Sequence, residues 1–363
     1  MKFIKKILIA ALGSFILLPS FSFAASDNLL NIYNKRPDLQ AAFDSGKFQA
    51  IEGSAAGFLI DLEDWARQYG WQEYAELSEY APDVTPASSL GRATPEVTAL
   101  RYIVIDDASG KILAARGAEQ EWPIASITKL VTTKMALDHG LDTGGRGTVE
   151  DSDDVGGARL WVFGGTLFTI SDILYATIVA SANNAANAIA RLSGMPRATF
   201  IDYMNHFADS LNLSHTRFVD PTGIELGNVS TAREVAAFAR EVFRNENIRR
   251  MAGTWRTHIE ALNDPDYVRD INSTNWLLFD PAYDDVYVTA GKTGYLNESG
   301  WNLVVRMHPM GDLETKSVLV VILGATSRRD SFDDAHRLAK WAWQNHDWAG
   351  RGVYISINPE ASP

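Results

Sequence analysis

Ser126-Ile127-Thr128-Lys129 opens a helix-like run directly after Trp122-Pro123-Ile124-Ala125. A serine hydroxyl is a weak nucleophile at neutral pH and needs a neighbouring base. Residues three apart share a helix face, so Lys129 can reach back to the Ser126 hydroxyl. A desolvated lysine beside other cations can lose its proton and act as that base. Taken alone, a Ser-x-x-Lys tetrad reads most simply as a solvated first helical turn. Two later stretches supply what such a pair would use. Ser181-Ala182-Asn183 offers a hydroxyl that can relay a proton and an amide that can hold a lysine and a substrate backbone. Lys292-Thr293-Gly294 closes an apolar run with a cation, a hydroxyl suited to a carboxylate, and a glycine that lets a ligand backbone lie close to the strand. Gly291-Lys292-Thr293 also matches the tail of a phosphate-binding loop. That loop needs a glycine where Val286 stands, so the phosphate reading is rejected.

The three stretches come in the order and rough spacing of the Ser-x-x-Lys, Ser-x-Asn and Lys-Thr-Gly motifs of penicillin-binding proteins. From about residue 97 to 345 the chain resembles the D-alanyl-D-alanine carboxypeptidase family, the low-molecular-mass penicillin-binding serine peptidases. Asp220-Pro221-Thr222-Gly223, Ser230-Thr231-Ala232, Asn275 with Leu277-Leu278, and Gly300-Trp301-Asn302-Leu303-Val304 share in that likeness. The resemblance implies a β-lactamase/DD-peptidase-like α+β fold, an antiparallel sheet packed with helices. It implies a serine-type carboxypeptidase that trims the D-Ala-D-Ala ends of peptidoglycan stem peptides through an acyl-enzyme on Ser126, with β-lactams as inhibitors. Lys129 would be the base, with Ser181 and Asn183 completing the catalytic set. Lys292, Thr293 and Gly294 would bind substrate. The backbone N–H groups of Ser126 and Tyr295 would form the oxyanion hole, so the Tyr295 side chain matters less than its main chain. No cofactor is implied.

Three rivals stay in view. A DD-endopeptidase would cut peptidoglycan cross-links with the same residues. A β-lactamase would need a deacylating glutamate; Glu225-Leu226-Gly227-Asn228 only faintly matches that stretch, has an extra glycine, and is read as loop. An inert wall-binding protein is disfavoured by three intact motifs. Family members often carry an arginine after the last strand that helps bind the terminal carboxylate. Arg328 and Arg329 fall a few residues early for that role, and a surface place suits them equally well.

Composition bounds the rest. The 363 residues include no cysteine, which rules out disulfides, thiolate metal sites and a cysteine nucleophile. The formal net charge of -12 argues against nucleic acid held on a broad basic surface. Seven histidines are scattered without ligand spacing, so no metal is expected.

The elements that must position these groups follow from the pattern. Residues 1–24 read as a signal peptide: Lys2, Lys5 and Lys6, an apolar run from Ile7 to Leu18, then Ser22-Phe23-Ala24 at the cleavage positions. Residues 26–81 read as a small helical module, with Phe58, Leu62, Trp65, Ala66 and Tyr69 at helical spacing. Its aromatics either pack in its own small core or against the main domain, or bind wall glycan or a partner. Residues 82–95, rich in Pro and Ser/Thr, read as a linker, 96–349 as the catalytic domain, and 350–363 as a tail. Many relatives continue into a β-rich second domain and an amphipathic membrane helix, which this tail does not resemble. The expected product is exported to the periplasm or extracytoplasmic wall space, without a stable membrane anchor once the signal is removed. Within the catalytic domain, strands are expected at 101–106, 111–116, 286–291, 302–307 and 318–323. A helix should begin at Ser126. A helical stretch over 171–192, broken near Ser181, should start at Ser171. Thr231 and Glu234 should form a capping box, 332–344 should be the last helix, and 138–157 should be loop.

Overall fold

Val318–Ala325 is buried at every position, so this strand must be covered on both faces. It lies in a five-stranded antiparallel sheet whose strands, in chain order, are β1 (Arg101–Asp106), β2 (Ile112–Arg116), β3 (Val286–Leu296), β4 (Gly300–Pro309) and β5 (Val318–Ala325). The spatial order is β3-β4-β5-β1-β2, and every neighbouring pair is antiparallel. Strands from the two ends of the domain meet at the β5–β1 pairing, in the register Val320 to Val104. The computed structural model describes residues 88–312 and 315–348. The expected signal peptide, the helical module, the start of the linker and the tail lie outside the described residues.

Successive side chains of a strand point to opposite faces. Ile103, Ile105, Leu319, Val321 and Leu323 join one core with the helices α1 (Thr128–Asp138), α2 (Ile170–Ile178), α3 (Asn183–Leu192), α4 (Arg197–Ser210), α5 (Ala232–Val242) and α6 (Glu246–Ala252). Tyr102, Val104, Val318, Val320 and Ile322 join a second core with Phe332, Ala335, Leu338 and Ala339 of α7 (Arg328–Asn345). The helical layer is inserted between β2 and β3. Its centre is α1, buried over Thr128–Thr133 and again at Met135 and Ala136. The α+β reading therefore holds, with α7 on one face and α1–α6 on the other. Among the described residues no helix is long and apolar enough to cross a membrane.

Local departures have local causes. The helical stretch near Ser181 is two helices, and α2 starts one residue before Ser171, capped by Thr169, whose hydroxyl accepts from the Asp172 N–H at 3.0 Å. Thr231 caps α5 as expected, accepting from the Glu234 N–H at 3.1 Å. The Glu234 carboxylate does not complete the box; it accepts from the His215 N–H and the Thr216 hydroxyl instead. The last helix starts four residues early, at Arg328, because Ser327 supplies its cap. Arg146–Val149, inside the span expected to be loop, pairs with Thr166–Thr169, and Arg256–Glu260 pairs with Val268–Asn272 in a second hairpin that no pattern announced. Residues 88–95, within the expected linker, are tied to the end of α7. Ser88–Ser89 pairs with His346–Asp347, Leu90 N–H donates to the Asn345 carbonyl at 2.7 Å, and the Trp341 indole donates to the Ala93 carbonyl at 2.7 Å.

Candidate active site

The turn before α1 is unusual. Ala125 has φ +50°, and residues Ala125–Ile127 form a tight 3-10 turn that continues into α1. This turn is overlaid by the loop Asp220–Gly223. One Asp220 carboxylate oxygen accepts from the Thr222 N–H and hydroxyl at 2.6 Å each and from the Gly223 N–H at 2.9 Å. The other accepts from the Glu225 N–H at 3.0 Å and from the Asn228 amide. A carboxylate with so many donors holds one loop shape. Gly223 has φ +80°, and a Cβ there would overlap the Ala125 carbonyl. The close approach thus requires glycine.

The folded loop points the Thr222 carbonyl at Lys129. Lys129 Nζ lies 2.7 Å from each of three acceptors: Ser126 Oγ, Asn183 Oδ1 and Thr222 O. The side chain is fully buried. Burial first, and then the charge of Lys292, hold the amine well below the usual lysine range, with Asp220 opposing. A neutral amine has two N–H groups and one lone pair. Asn183 Oδ1 and the Thr222 carbonyl can only accept, so the lone pair is left for the Ser126 hydroxyl.

Ser181 and Asn183 occupy the break between α2 and α3. Ser181 sits at φ +59°, a costly conformation for a non-glycine residue, and its hydroxyl accepts from Lys292 Nζ at 2.8 Å. Asn183 is fixed at both ends: its N–H donates to the Ala158 carbonyl at 2.6 Å and its side-chain amide to the Gly156 carbonyl at 2.7 Å. Lys292 is buried, and burial pushes it down to about 7. It also donates to the Thr293 carbonyl at 2.9 Å.

Strand β3 runs on through Lys292-Thr293-Gly294 to Leu296, five residues past the apolar run, at an edge of the sheet. A Cβ on Gly294 would come within 2.7 Å of the Ile124 carbonyl and 3.3 Å of the Ser126 nitrogen, so this glycine lets the strand edge pass against the start of α1. Thr293 Oγ1 lies 2.6 Å from the Thr274 hydroxyl. Tyr295 is half-exposed and stacks on Trp301 with centroids 4.2 Å apart.

All eight residues singled out in the sequence, Ser126, Lys129, Ser181, Asn183, Lys292, Thr293, Gly294 and Tyr295, fall along this one cluster. Sequence reasoning missed the Thr222 carbonyl, because a backbone acceptor has no residue signature. It also missed Thr274 as the partner of Thr293. Arg328 donates to the Thr274 carbonyl at 2.9 Å and packs over Trp276 at 4.7 Å, two contacts from Thr293. Arg329 instead pairs with Asp280 and Asp333. Glu225 is an exposed loop residue.

A pH dependence follows. Lys292 can pair with a carboxylate only while protonated, which in the free protein means below about 7. On an acid-terminated substrate kcat/KM should fall as pH rises through that value. In Lys292→Arg, whose guanidinium stays charged, the alkaline limb should be gone from whatever activity remains. Stability should move the other way. Between about 7 and the ordinary 10.5, the unfolded chain holds the Lys292 proton and the folded chain does not, so raising the pH across that window should stabilise the fold. Urea unfolding at the two ends of the window checks the sign.

A family profile described as D-alanyl-D-alanine carboxypeptidase matches residues 88–327. A D-alanyl-D-alanine endopeptidase of Pseudomonas aeruginosa is 31% identical over 244 residues, covering 66% of this chain and 75% of the relative. The D-alanyl-D-alanine carboxypeptidase DacF of Bacillus subtilis is 26% identical over 283 residues, covering 75% of this chain and 69% of the relative. The crystal structure of the Streptomyces K15 DD-transpeptidase superposes with a TM-score of 0.62 at 24% identity, covering 70% of this chain and 100% of that one, a likeness of fold. The order of the motifs, the fold that brings them together and the profile match lead to one assignment: this chain belongs to the D-alanyl-D-alanine carboxypeptidase family of serine peptidases.

Proposed function

We propose that the protein hydrolyses the terminal D-Ala-D-Ala bond of peptidoglycan stem peptides through an acyl-enzyme on Ser126. The observation that carries this reading is the 2.7 Å contact between Ser126 Oγ and a lysine whose burial favours the neutral amine. Lys129 takes the hydroxyl proton as Ser126 attacks the penultimate D-Ala carbonyl. The backbone N–H groups of Ser126 and Tyr295 receive the oxyanion. The leaving D-Ala amine collects a proton through Lys129 or through the Ser181–Lys292 pair. Water then releases the acyl group by the same proton route. Thr293 and protonated Lys292 hold the terminal carboxylate, and Asn183 positions both Lys129 and the substrate backbone. The signal-like residues 1–24 support export to the periplasm or the extracytoplasmic wall space.

A second reading has an observation in its favour: three relatives, at 31%, 31% and 28% identity, are named D-alanyl-D-alanine endopeptidases. The same groups would then cut the cross-link between two stem peptides. Two measurements decide. Incubation with a labelled penicillin should place one covalent adduct on Ser126, and an adduct on any other residue would remove the assignment. Mass spectrometry of products from defined muropeptides separates the readings: free D-Ala from pentapeptides marks the carboxypeptidase, monomers from cross-linked dimers the endopeptidase.

A further inference from the structure

The loop between Asp154 and Gly165 carries the two most exposed large hydrophobic side chains of the described residues, Trp161 (76%) and Phe163 (88%). Such side chains on a loose loop would be unremarked, but this loop is pinned. Its Gly156 carbonyl accepts from Asn183, its Ala158 carbonyl from the Asn183 N–H, and Leu160 exchanges two hydrogen bonds with the Asn184 side chain at 3.0 and 2.8 Å. Gly164 N–H donates to Asp151 at 2.8 Å. A Cβ on Gly157, at φ +67°, would come within 2.8 Å of the Asn183 amide. Arg159, paired with Asp154 at 2.7 Å, lies 4.1 Å from the centre of the Trp161 ring. The loop is therefore held against the first turn of α3, next to the active-site Asn183, while its aromatic rings are kept out in solvent. Exposed apolar surface held in place beside a catalytic cluster marks a binding surface.

The order of contacts across the site says what would reach the loop. One row of contacts runs from Thr274 and Thr293 through Lys292 and Ser181. Another runs from Ser126 through Lys129 to Asn183 and Gly156. The loop lies at the end away from Thr293. A substrate with its carboxylate at Thr293 and its scissile carbonyl at Ser126 extends past Asn183 toward the loop. Counted as ordinary α-linked residues, the three stem residues ahead of the terminal pair span about 11 Å. Beyond them the stem peptide is joined to its sugar. Trp161 follows Leu160, whose backbone is bonded to the Asn184 side chain, so the Trp161 backbone is held beside the first turn of α3. A hexose presents an apolar C–H face that packs flat on an aromatic ring, while its hydroxyls and acetamido group stay in water or meet a polar neighbour such as Arg159.

Resting on the proposed D-Ala-D-Ala activity, we propose that Trp161 and Phe163, with Arg159 behind the indole, form a subsite for the amino-sugar of the glycan that bears the stem peptide. The protein then favours glycan-attached stems over free peptide. The test compares kcat/KM on a disaccharide-pentapeptide and on the same pentapeptide without sugar, for the parent and for the Trp161→Ala/Phe163→Ala protein. The parent should prefer the glycosylated substrate. The variant should lose about tenfold on it, the size of a lost aromatic stacking contact, with its sugar-free activity and penicillin acylation unchanged. Equal losses on both substrates would assign the rings to the peptide, and no loss on either would assign them to another partner; both overturn the sugar subsite. If the parent cleaves neither substrate, the D-Ala-D-Ala reading has failed. Calorimetric binding of the disaccharide-pentapeptide then still decides, since equal affinity of parent and variant overturns the subsite.

Discussion

Replacing Lys129 by alanine should lower the rate of penicillin acylation by ~10²–10⁴, the usual worth of a positioned general base, in a protein that still folds. Lys129 is the one group within hydrogen-bond reach of Ser126 Oγ that can take its proton in the described structure. The fold should survive because burying an amine is itself costly, and its removal relieves that cost. What is lost is the donor to Asn183 Oδ1 and Thr222 O, both 2.7 Å away. A water in the vacated space can satisfy those acceptors, and Lys129→Met, which fills more of the volume, gives a second folded protein without the base. Stopped-flow acylation with a fluorescent penicillin measures the rate, and urea unfolding confirms the fold. Acylation at the parental rate in either folded variant would take Lys129 out of the mechanism and leave Ser126 to another base.

Gly223→Ala should be equally damaging for a different reason. The new methyl group would overlap the Ala125 carbonyl and come 2.9 Å from the Thr128 hydroxyl. The φ of +80° alone costs a non-glycine residue about 1–2 kcal/mol. Overpacking against backbone typically adds ~1–3 kcal/mol. The relief available is to push the 220–223 loop off the first turn of α1. That shift withdraws the Thr222 carbonyl from Lys129 and moves the Ser126 turn. The urea midpoint should fall and acylation should fall with it. A neighbouring change, Glu225→Ala, alters an exposed residue of the same loop and should leave both unchanged. Parental stability and acylation in Gly223→Ala would mean that the loop relaxes without moving the site.

How much of this was legible beforehand depends on what kind of signal each feature leaves. Ser126 and Lys129 were legible because i to i+3 spacing on a helix is a local rule, and the three motifs carry their order in the chain. Strands β1, β4 and β5 were legible because burial on both faces writes a continuous apolar run. The end of β3 was not: Lys292-Thr293-Gly294 meets Ser181, Thr274 and the turn before α1, so the strand continues after the apolar signal stops. The hairpins at 146–169 and 256–272 were missed for a related reason. Their strands are short, and the 256–272 pair is largely solvated, with Ile259 and Ile271 alone turned inward.

The sequence by itself determined the chemistry on offer: a serine with a lysine one turn away, a second hydroxyl and amide, a cation with a threonine and a glycine, and no thiol. It also determined the fold class, since apolar strands stood at both ends of the domain with helices between them. Only the tertiary structure decided that Lys129 is surrounded by acceptors and fully buried, which favours its neutral amine and sets it apart from an ordinary surface cation. That state depends on the Thr222 carbonyl, on the carboxylate of Asp220 that shapes the loop, and on Lys292, which is 163 residues away in the chain. A pKa is set by desolvation and by nearby charge, both properties of a three-dimensional neighbourhood. Residue type and spacing name the groups; the packing around them sets their protonation and the direction in which each lone pair points.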